Sequence, residues 1–157
     1  VMEGGTRTPL ITRWTGTIIP GISDKLVCTI DFAASFAKMT GVQLPPEACL
    51  DSFNVLGALL GSANAAGRDH LVQQDNGRGG NYGLRVGNWK LQRHDSRRRR
   101  NARLRLKGRK VPRYTLYQLN VDPAETTDVL AKHPDVTQQM IRQLDKLVTA
   151  GRSRISP

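Results

Sequence analysis

The sequence predicts a mixed α/β fold that ends in a small α+β unit, an antiparallel sheet packed on a C-terminal helix. Three observations carry this. Tyr82-Gly83-Leu84-Arg85-Val86 and Asn88-Trp89-Lys90-Leu91-Gln92-Arg93 alternate apolar and charged residues at period two, and Gly87-Asn88 between them suits a tight primed turn. Tyr114 to Leu119 repeats Leu and Tyr at the same period and extends the sheet. Val136, Met140, Ile141, Leu144, Leu147 and Val148 fall at helical spacing, an apolar stripe that covers one sheet face.

In chain order, Glu3-Gly4-Gly5-Thr6-Arg7-Thr8-Pro9 comes first, its paired glycines permitting backbone angles or close approaches that a side chain would forbid. Leu10 to Trp14 predicts a short apolar strand, and Gly16 to Gly21 a loop with turn residues at both ends. Leu26 to Ile30 is another short apolar stretch. Asp31 then reads as the cap of a helix running to about Met39, with Phe32, Phe36 and Met39 on one face and Gly41 at its end. Pro45-Pro46 breaks the chain before a second short helix, Phe53 to Leu60.

The Ser, Asn, Ala and Gly of residues 61–68 predict a linker. His70 to Gln73 is expected as the first strand of the second unit, and Asp75 to Gly80 as a loop. Asp122-Pro123-Ala124-Glu125 has the spacing of a capped helix start. Pro134 opens the last helix and Gly151 closes it before a basic, frayed tail. The expected division is therefore 1–65 and 66–157, with an insertion at 93–113.

At 157 residues and 38% hydrophobic content the chain buries an ordinary core, and no apolar run approaches the roughly 20 residues of a membrane span. No signal-peptide pattern opens it; Val1-Met2-Glu3-Gly4 reads as an entry in mid-fold, which predicts a fragment. The net charge of +11 is concentrated: residues 93–113 hold eleven Lys and Arg against Asp95 alone, and the rest of the chain is nearly neutral. Arg97, Arg98, Arg99, Arg100, Arg103 and Arg105 are candidate polyanion contacts, acting by counterion release. A solvated insertion is the other reading. Arg103 to Lys107 alternates strictly, as an extended arm or a charge-protected edge strand would. No aromatic residue lies between Arg97 and Lys110 to stack on bases, which argues against a sequence-specific reader of nucleic acid.

Cys28 and Cys49 are too few and too far apart for a disulfide framework or a zinc site, and read as two small buried side chains. His70, His94 and His133 lack metal-ligand spacing and any triad context, and read as surface or loop residues.

Several of these segments form an ordered set. Glu3-Gly4-Gly5-Thr6-Arg7-Thr8-Pro9 followed by Trp14-Thr15-Gly16 resembles the Glu-Gly-Gly-x-Arg-x-Pro…Trp-x-Gly segment of the formylglycine-dependent sulfatases, which share the alkaline-phosphatase-like fold. Leu84-Arg85-Val86-Gly87-Asn88-Trp89-Lys90-Leu91 looks like their Leu-Arg-x-Gly-x-Trp-Lys-Leu hairpin. Leu116-Tyr117-Gln118-Leu119 with Asp122-Pro123-x-Glu125 is similar to their Leu-Tyr-x-Leu…Asp-Pro-x-Glu segment. Asp31, Gly41, Asp51 and Leu56 to Gly61 also fall in place, whereas Ala34-Ser35 stands where many members have Pro-Thr.

The resemblance implies the C-terminal portion of an arylsulfatase-type sulfuric ester hydrolase: residues 1–65 as the tail of the large α/β catalytic domain and 66–157 as the small subdomain. In the parent it implies a formylglycine nucleophile made from Cys/Ser-x-Pro-x-Arg, a calcium ion, and a sulfated small molecule or glycan as substrate. Neither Cys28 nor Cys49 stands in that motif, and Asp75-Asn76-Gly77 follows Glu-Gly-Gly where the family's calcium-binding Asp-Asn-Gly precedes it. No catalytic residue, metal ligand or cofactor is therefore assigned within the chain, and the fragment is expected to be inactive alone.

Glu3, Gly4, Gly5 and Arg7 are expected to support the pocket wall from behind, with Arg7 in an internal ion pair or hydrogen-bond network. Arg85 and Lys90, near the family's substrate mouth, are candidate sulfate contacts; the other reading is the solvated face of a half-buried strand. A periplasmic, extracellular or lysosomal location is implied by resemblance only. The competing functional class is a binding module, a remnant that holds nucleic acid or sulfated glycan through the Arg-rich insertion. A fragment without independent function, its first strands lacking sheet neighbours, is a third reading.

Overall fold

The computed structural model describes residues 2–75, 80–94 and 112–154. Two compact units are present and neither is continuous in sequence: Val1–Thr8 with His70–Asp145, and Pro9–Asp69 with Lys146–Pro157. The first eight residues thus group with the sheet and not with the segment that follows them.

In the first unit, strands β1 (His70–Gln74), β2 (Tyr82–Val86), β3 (Trp89–Arg93) and β4 (Tyr114–Gln118) form an antiparallel meander in that order. Val86 pairs with Trp89, which leaves Gly87-Asn88 as a two-residue turn, and Gly87 supplies the positive φ of +54° that such a turn requires. Leu84, Leu91 and Leu116 stand side by side across three strands, each 0% exposed. Helix α3 (Pro134–Ala150) follows Pro134 as expected. Its Met140 and Leu144 are buried, and Arg93, on the same sheet face as Leu91, pairs with Asp145 at 3.3 Å. One face of the sheet is therefore covered by α3.

The outer edge of β4 is closed by the connection that follows it. Val129 N–H donates to the Leu116 carbonyl at 2.9 Å, and Leu116 N–H to Asp128 Oδ1 at 3.0 Å, which removes an exposed edge. Within this connection the helix expected from Asp122 does not form. Asp122 instead accepts the N–H groups of Thr126 and Thr127 in an open turn, and Glu125 sits at φ +55°. A helical Glu125 could reach back to its own cap; in the left-handed conformation it points into the sheet unit instead.

The second unit contains α1 (Phe32–Thr40) and the single turn α2 (Leu56–Leu59). Neither the strand expected at Leu10–Trp14 nor one in the apolar stretch Leu26–Ile30 is formed among the described residues: an extended run becomes a strand only with a ladder of backbone bonds, and the Arg68 N–H on the Leu26 carbonyl does not make one. Asp31 does not cap α1 through its side chain; Ser52 Oγ takes the Ala34 N–H at 2.9 Å. Phe32 and Phe36 do stack, at 5.6 Å between ring centroids, but the buried side of α1 is Ala34 and Ser35, with Phe36 and Met39 exposed. Gly41, at φ +75°, ends the helix as expected. Cys28 is half-buried and Cys49 exposed, so neither is the buried side chain the sequence suggested.

Residues 61–68 are not a loose linker. A Cβ on Gly67 would lie 2.6 Å from the Leu26 carbonyl oxygen, so the backbones touch, and Arg68 N–H donates to that oxygen at 2.7 Å. The part of the expected frayed tail that is described, through Arg154, is also docked. Ser153 N–H donates to Asp51 Oδ1 at 2.7 Å, Arg154 N–H to the Leu50 carbonyl at 2.9 Å, and the Arg154 guanidinium to the Ala48 carbonyl at 2.7 Å.

Candidate functional site

The sheet face opposite α3 is where the motif residues meet. Period-two alternation puts Arg85, Lys90 and Gln92 on that face, Arg85 and Lys90 as direct cross-strand partners. It is covered by the 3-10 turn Glu3–Gly5 and by Glu125 from the open turn. Lys90 Nζ lies 2.8 Å from Glu3 Oε1 and 3.4 Å from Glu125 Oε1, with its side chain 0% exposed. Arg85 Nη1 donates to Glu3 Oε2 at 3.2 Å, Gln92 Nε2 donates to Glu125 Oε1 at 2.8 Å, and the backbone N–H of Glu3 donates to Glu125 Oε2.

Two carboxylates thus face one ammonium and one guanidinium, and the buried formal charge is balanced. That balance matters because an unpaired ion in such a place costs several kcal/mol, on the order of the whole stability of a small domain. Each carboxylate is held from two sides, which fixes the amino-terminal turn against β2 and β3. The charges of the cluster are spent on one another, which ties the turn to the sheet.

Lys90 is thus neither a solvated side chain nor a group open to sulfate, since its charge is directed at two buried carboxylates. Arg85 keeps 20% of its side chain exposed and is shared between Glu3 and the Gly87 carbonyl. Gly4 and Gly5 are exposed in the 3-10 turn, neither with positive φ and neither with an atom within 4 Å of a Cβ built on it. The expected internal ion pair is made by Glu3 and not by Arg7, which is exposed and, among the described residues, has no side-chain partner. Arg97, Arg98, Arg99, Arg100, Arg103 and Arg105 lie outside the described residues. At the roots of that insertion Arg93 lies over the Tyr82 ring at 4.5 Å and Arg113 over Tyr114 at 5.5 Å.

Sequence reasoning missed Glu125 and Gln92, and also a second buried cluster in the other unit. Asp31, 0% exposed, accepts Cys28 N–H through Oδ2 and Phe53 N–H through Oδ1, each at 2.9 Å, and pairs with Arg68. Arg68 also donates to the Asp51 carbonyl at 3.1 Å and lies over the Phe53 ring at 4.4 Å. Ser35 Oγ accepts Val55 N–H at 3.1 Å beside them. A lone Arg among small residues was the available signal, hidden by the linker-like composition around it.

Of the histidines, His94 and His133 lie in loops as expected, half-buried, and His70 departs from that reading. His70 is buried on β1, and His133 packs on Trp89 at 4.8 Å between centroids. His94, 3.3 Å from Thr115 Oγ1, is held below the ordinary imidazole range by burial. Among the described residues no group of three His, Cys, Asp or Glu side chains is placed to hold a metal ion. No described helix is long and apolar enough to cross a membrane.

Comparison with known proteins gives a consistent set of relatives. No family model matches the chain. An N-acetylgalactosamine-6-O-sulfatase of Bacteroides thetaiotaomicron is 31% identical over 149 residues, 94% of this chain and 28% of that protein. Arylsulfatase A of Homo sapiens is 28% identical over 98% of this chain and 34% of that protein. An arylsulfatase of Hemicentrotus pulcherrimus is 37% identical over 89 residues, 56% of this chain and 15% of that protein. A solved structure from work on glycosaminoglycan metabolism by Bacteroides thetaiotaomicron superposes with a TM-score of 0.80 at 30% identity, covering 94% of this chain and 30% of that one. The chain spans about a third or less of the length of these relatives.

Proposed function

The chain is related, in sequence and in fold, to the C-terminal portion of the sulfatases, and on that premise we propose that it forms the closing part of an enzyme that hydrolyses sulfate esters. One observation carries this reading beyond the likeness itself. Glu3, Arg85, Lys90 and Glu125 come from the three separate motifs that resemble the family, and they meet in one buried ionic network. A chain that merely shared short words with the family would have no reason to join them.

On this reading the work of the portion is to hold the Glu-Gly-Gly turn rigidly against a sheet, so that whatever the turn adjoins is positioned. The formylglycine and calcium that the resemblance implies for the parent are assigned, on this reading, to the part of it that this chain does not match, since neither Cys28 nor Cys49 lies in the modification motif. A sulfated small molecule or glycan is the substrate class for the parent, as the names of the relatives suggest, and export or lysosomal delivery is a setting implied by the family resemblance alone.

The test is a chimera in which this chain replaces the matching portion of the Bacteroides thetaiotaomicron relative. Turnover of a sulfate ester by the chimera, with none from the chain alone, is expected. A folded chimera without turnover sinks the proposal, and turnover by the chain alone refutes its inactivity.

A second reading is favoured by the +10 net charge of residues 93–113: attachment to a polyanion, nucleic acid or sulfated glycan, through Arg97, Arg98, Arg99, Arg100, Arg103 and Arg105. Retention on heparin that persists after these arginines are neutralised would remove it.

A further inference from the structure

We propose that the second unit carries a binding site for a small organic anion, an oxyanion head on a short aliphatic body, in the cavity between α1 and the docked carboxyl-terminal tail. The inference goes beyond the function proposed above and stands without it.

The cavity measures about 450 Å³, within the size range of small-molecule sites. Its apolar lining comes from α1 and the loop that follows: Ala34, Ala37, Val42, Leu44 and Pro46. Gly41, at φ +75°, ends the helix and turns the chain, so that the residues after it share this space with the residues before it. Among the described residues that line it there is no aromatic ring. A sugar or aryl ring would find nothing to stack on, which favours a saturated, flexible body.

Two cations, Lys38 and Arg154, line the same space, and among the described residues no carboxylate does. Arg154 is fixed before any ligand arrives. Its backbone N–H donates to the Leu50 carbonyl at 2.9 Å and its Nη2 to the Ala48 carbonyl at 2.7 Å, so the guanidinium is held by neutral groups and keeps its charge uncompensated. Lys38, exposed in the last turn of α1, likewise has no ion-pair partner among the described residues. The acids of the adjoining loop are engaged elsewhere: Glu47 pairs with Arg152 at 3.1 Å, and Asp51 accepts the Ser153 N–H at 2.7 Å.

The neutral polar groups add donors. Asn54 Oδ1 accepts the Leu56 N–H at 3.2 Å, which leaves its amide nitrogen to donate. Ser52 Oγ accepts the Ala34 N–H at 2.9 Å, which leaves its hydroxyl proton. The last carbonyls of α1 would oppose an anion, but they are capped, Ala37 by the Val42 N–H at 2.9 Å and Lys38 by the Gly41 N–H at 3.4 Å. Donors and positive charge beside an apolar wall suit an anion with a hydrocarbon body. A cation would meet like charge, and a neutral apolar molecule would leave the donors unpaired.

The experiment titrates the full chain, by calorimetry and by amide NMR, with octanoate, octyl sulfate, octanol and inorganic sulfate. Octanoate and octyl sulfate share the proposed chemistry, and the tighter of the two names the head group. Expected is saturable one-to-one binding that shifts the amides of Val42 and Asn54, with octanol and inorganic sulfate each weaker by about tenfold or more. Lys38→Ala should weaken binding about fivefold or more, Lys38→Arg should restore it, and Ala37→Trp, which fills the cavity, should abolish it. Arg13→Ala removes the same charge from another exposed position of the unit and should change affinity by less than about twofold. Lys38 is exposed, so its variants keep the fold. Octanol binding as tightly as the anions, affinity unchanged in Lys38→Ala or in Ala37→Trp, or no saturable binding each overturn the inference.

Discussion

Replacing Lys90 with Met tests the buried network most directly. Met has nearly the length of the lysine stem, so packing is kept and only the ammonium is removed. Glu3 and Glu125 would then share the Arg85 guanidinium alone, which reaches Glu3 at 3.2 Å from a partly exposed position. The interior is left with one uncompensated negative charge. Breaking a buried pair in this way costs about 3–5 kcal/mol. At a urea dependence of about 1–1.5 kcal/mol per molar for a unit of this size, the midpoint should fall by roughly 2–5 M. Trp89 is a local reporter, since it neighbours Lys90 in β3 and packs on His133. Adding Glu125→Gln to Lys90→Met should recover part of the loss, because Glu125 is the carboxylate that Lys90 leaves without its cation, whereas Glu3 keeps Arg85. A midpoint shift below about 0.5 M for Lys90→Met would refute the argument, for it would mean that water reaches the carboxylates freely.

Other outcomes follow from single features. Asp31→Asn removes the carboxylate charge from the buried Asp31–Arg68 pair and should destabilise the second unit by about 3 kcal/mol, read as a loss of thermal midpoint. Gly87→Ala forces a Cβ into positive φ with no atom nearby to clash, so its cost should be conformational only, about 1 kcal/mol by urea titration. His94 titrates below its unfolded value in the folded chain, so the unfolded state binds its proton first: the stability it contributes is present above about pH 6.5 and is lost as pH falls below that. Denaturant midpoints of His94→Gln should accordingly show a weaker decline across that range. Heparin affinity of the chain should fall steeply with salt, and the slope of log K against log salt should flatten once Arg97 to Arg100 are neutralised.

The sheet and the last helix were legible because their signals are local. Period two with Gly87 at a turn fixes β2 and β3 to within a residue, and an apolar stripe after Pro134 fixes α3. Leu10–Trp14 and Leu26–Ile30 carry the same apolar composition yet form no strand, since strand formation depends on a neighbour that composition does not record. Asp122 to Glu125 has the letters of a helix start, but tertiary pairing of Glu125 with Gln92 and Lys90 overrides the local preference. Lys90 and Arg68 were misread for a related reason. A charged residue in a strand or among glycines looks solvated until the acids that neutralise it are located, and those acids stand 87 and 37 positions away.

The same separation bears on synthesis. At about 5–20 residues per second, Lys90 leaves the ribosome roughly 4–17 s after Glu3, and Glu125, 122 positions beyond Glu3, later still. Through that interval the amino-terminal turn has no ammonium to meet and its carboxylate stays hydrated. Closing so long a loop is entropically unfavourable until the sheet exists to receive it. The Glu-Gly-Gly turn is therefore expected to be among the last pieces to settle in the nascent protein, and a chaperone or protease that meets the unfinished chain would find it open.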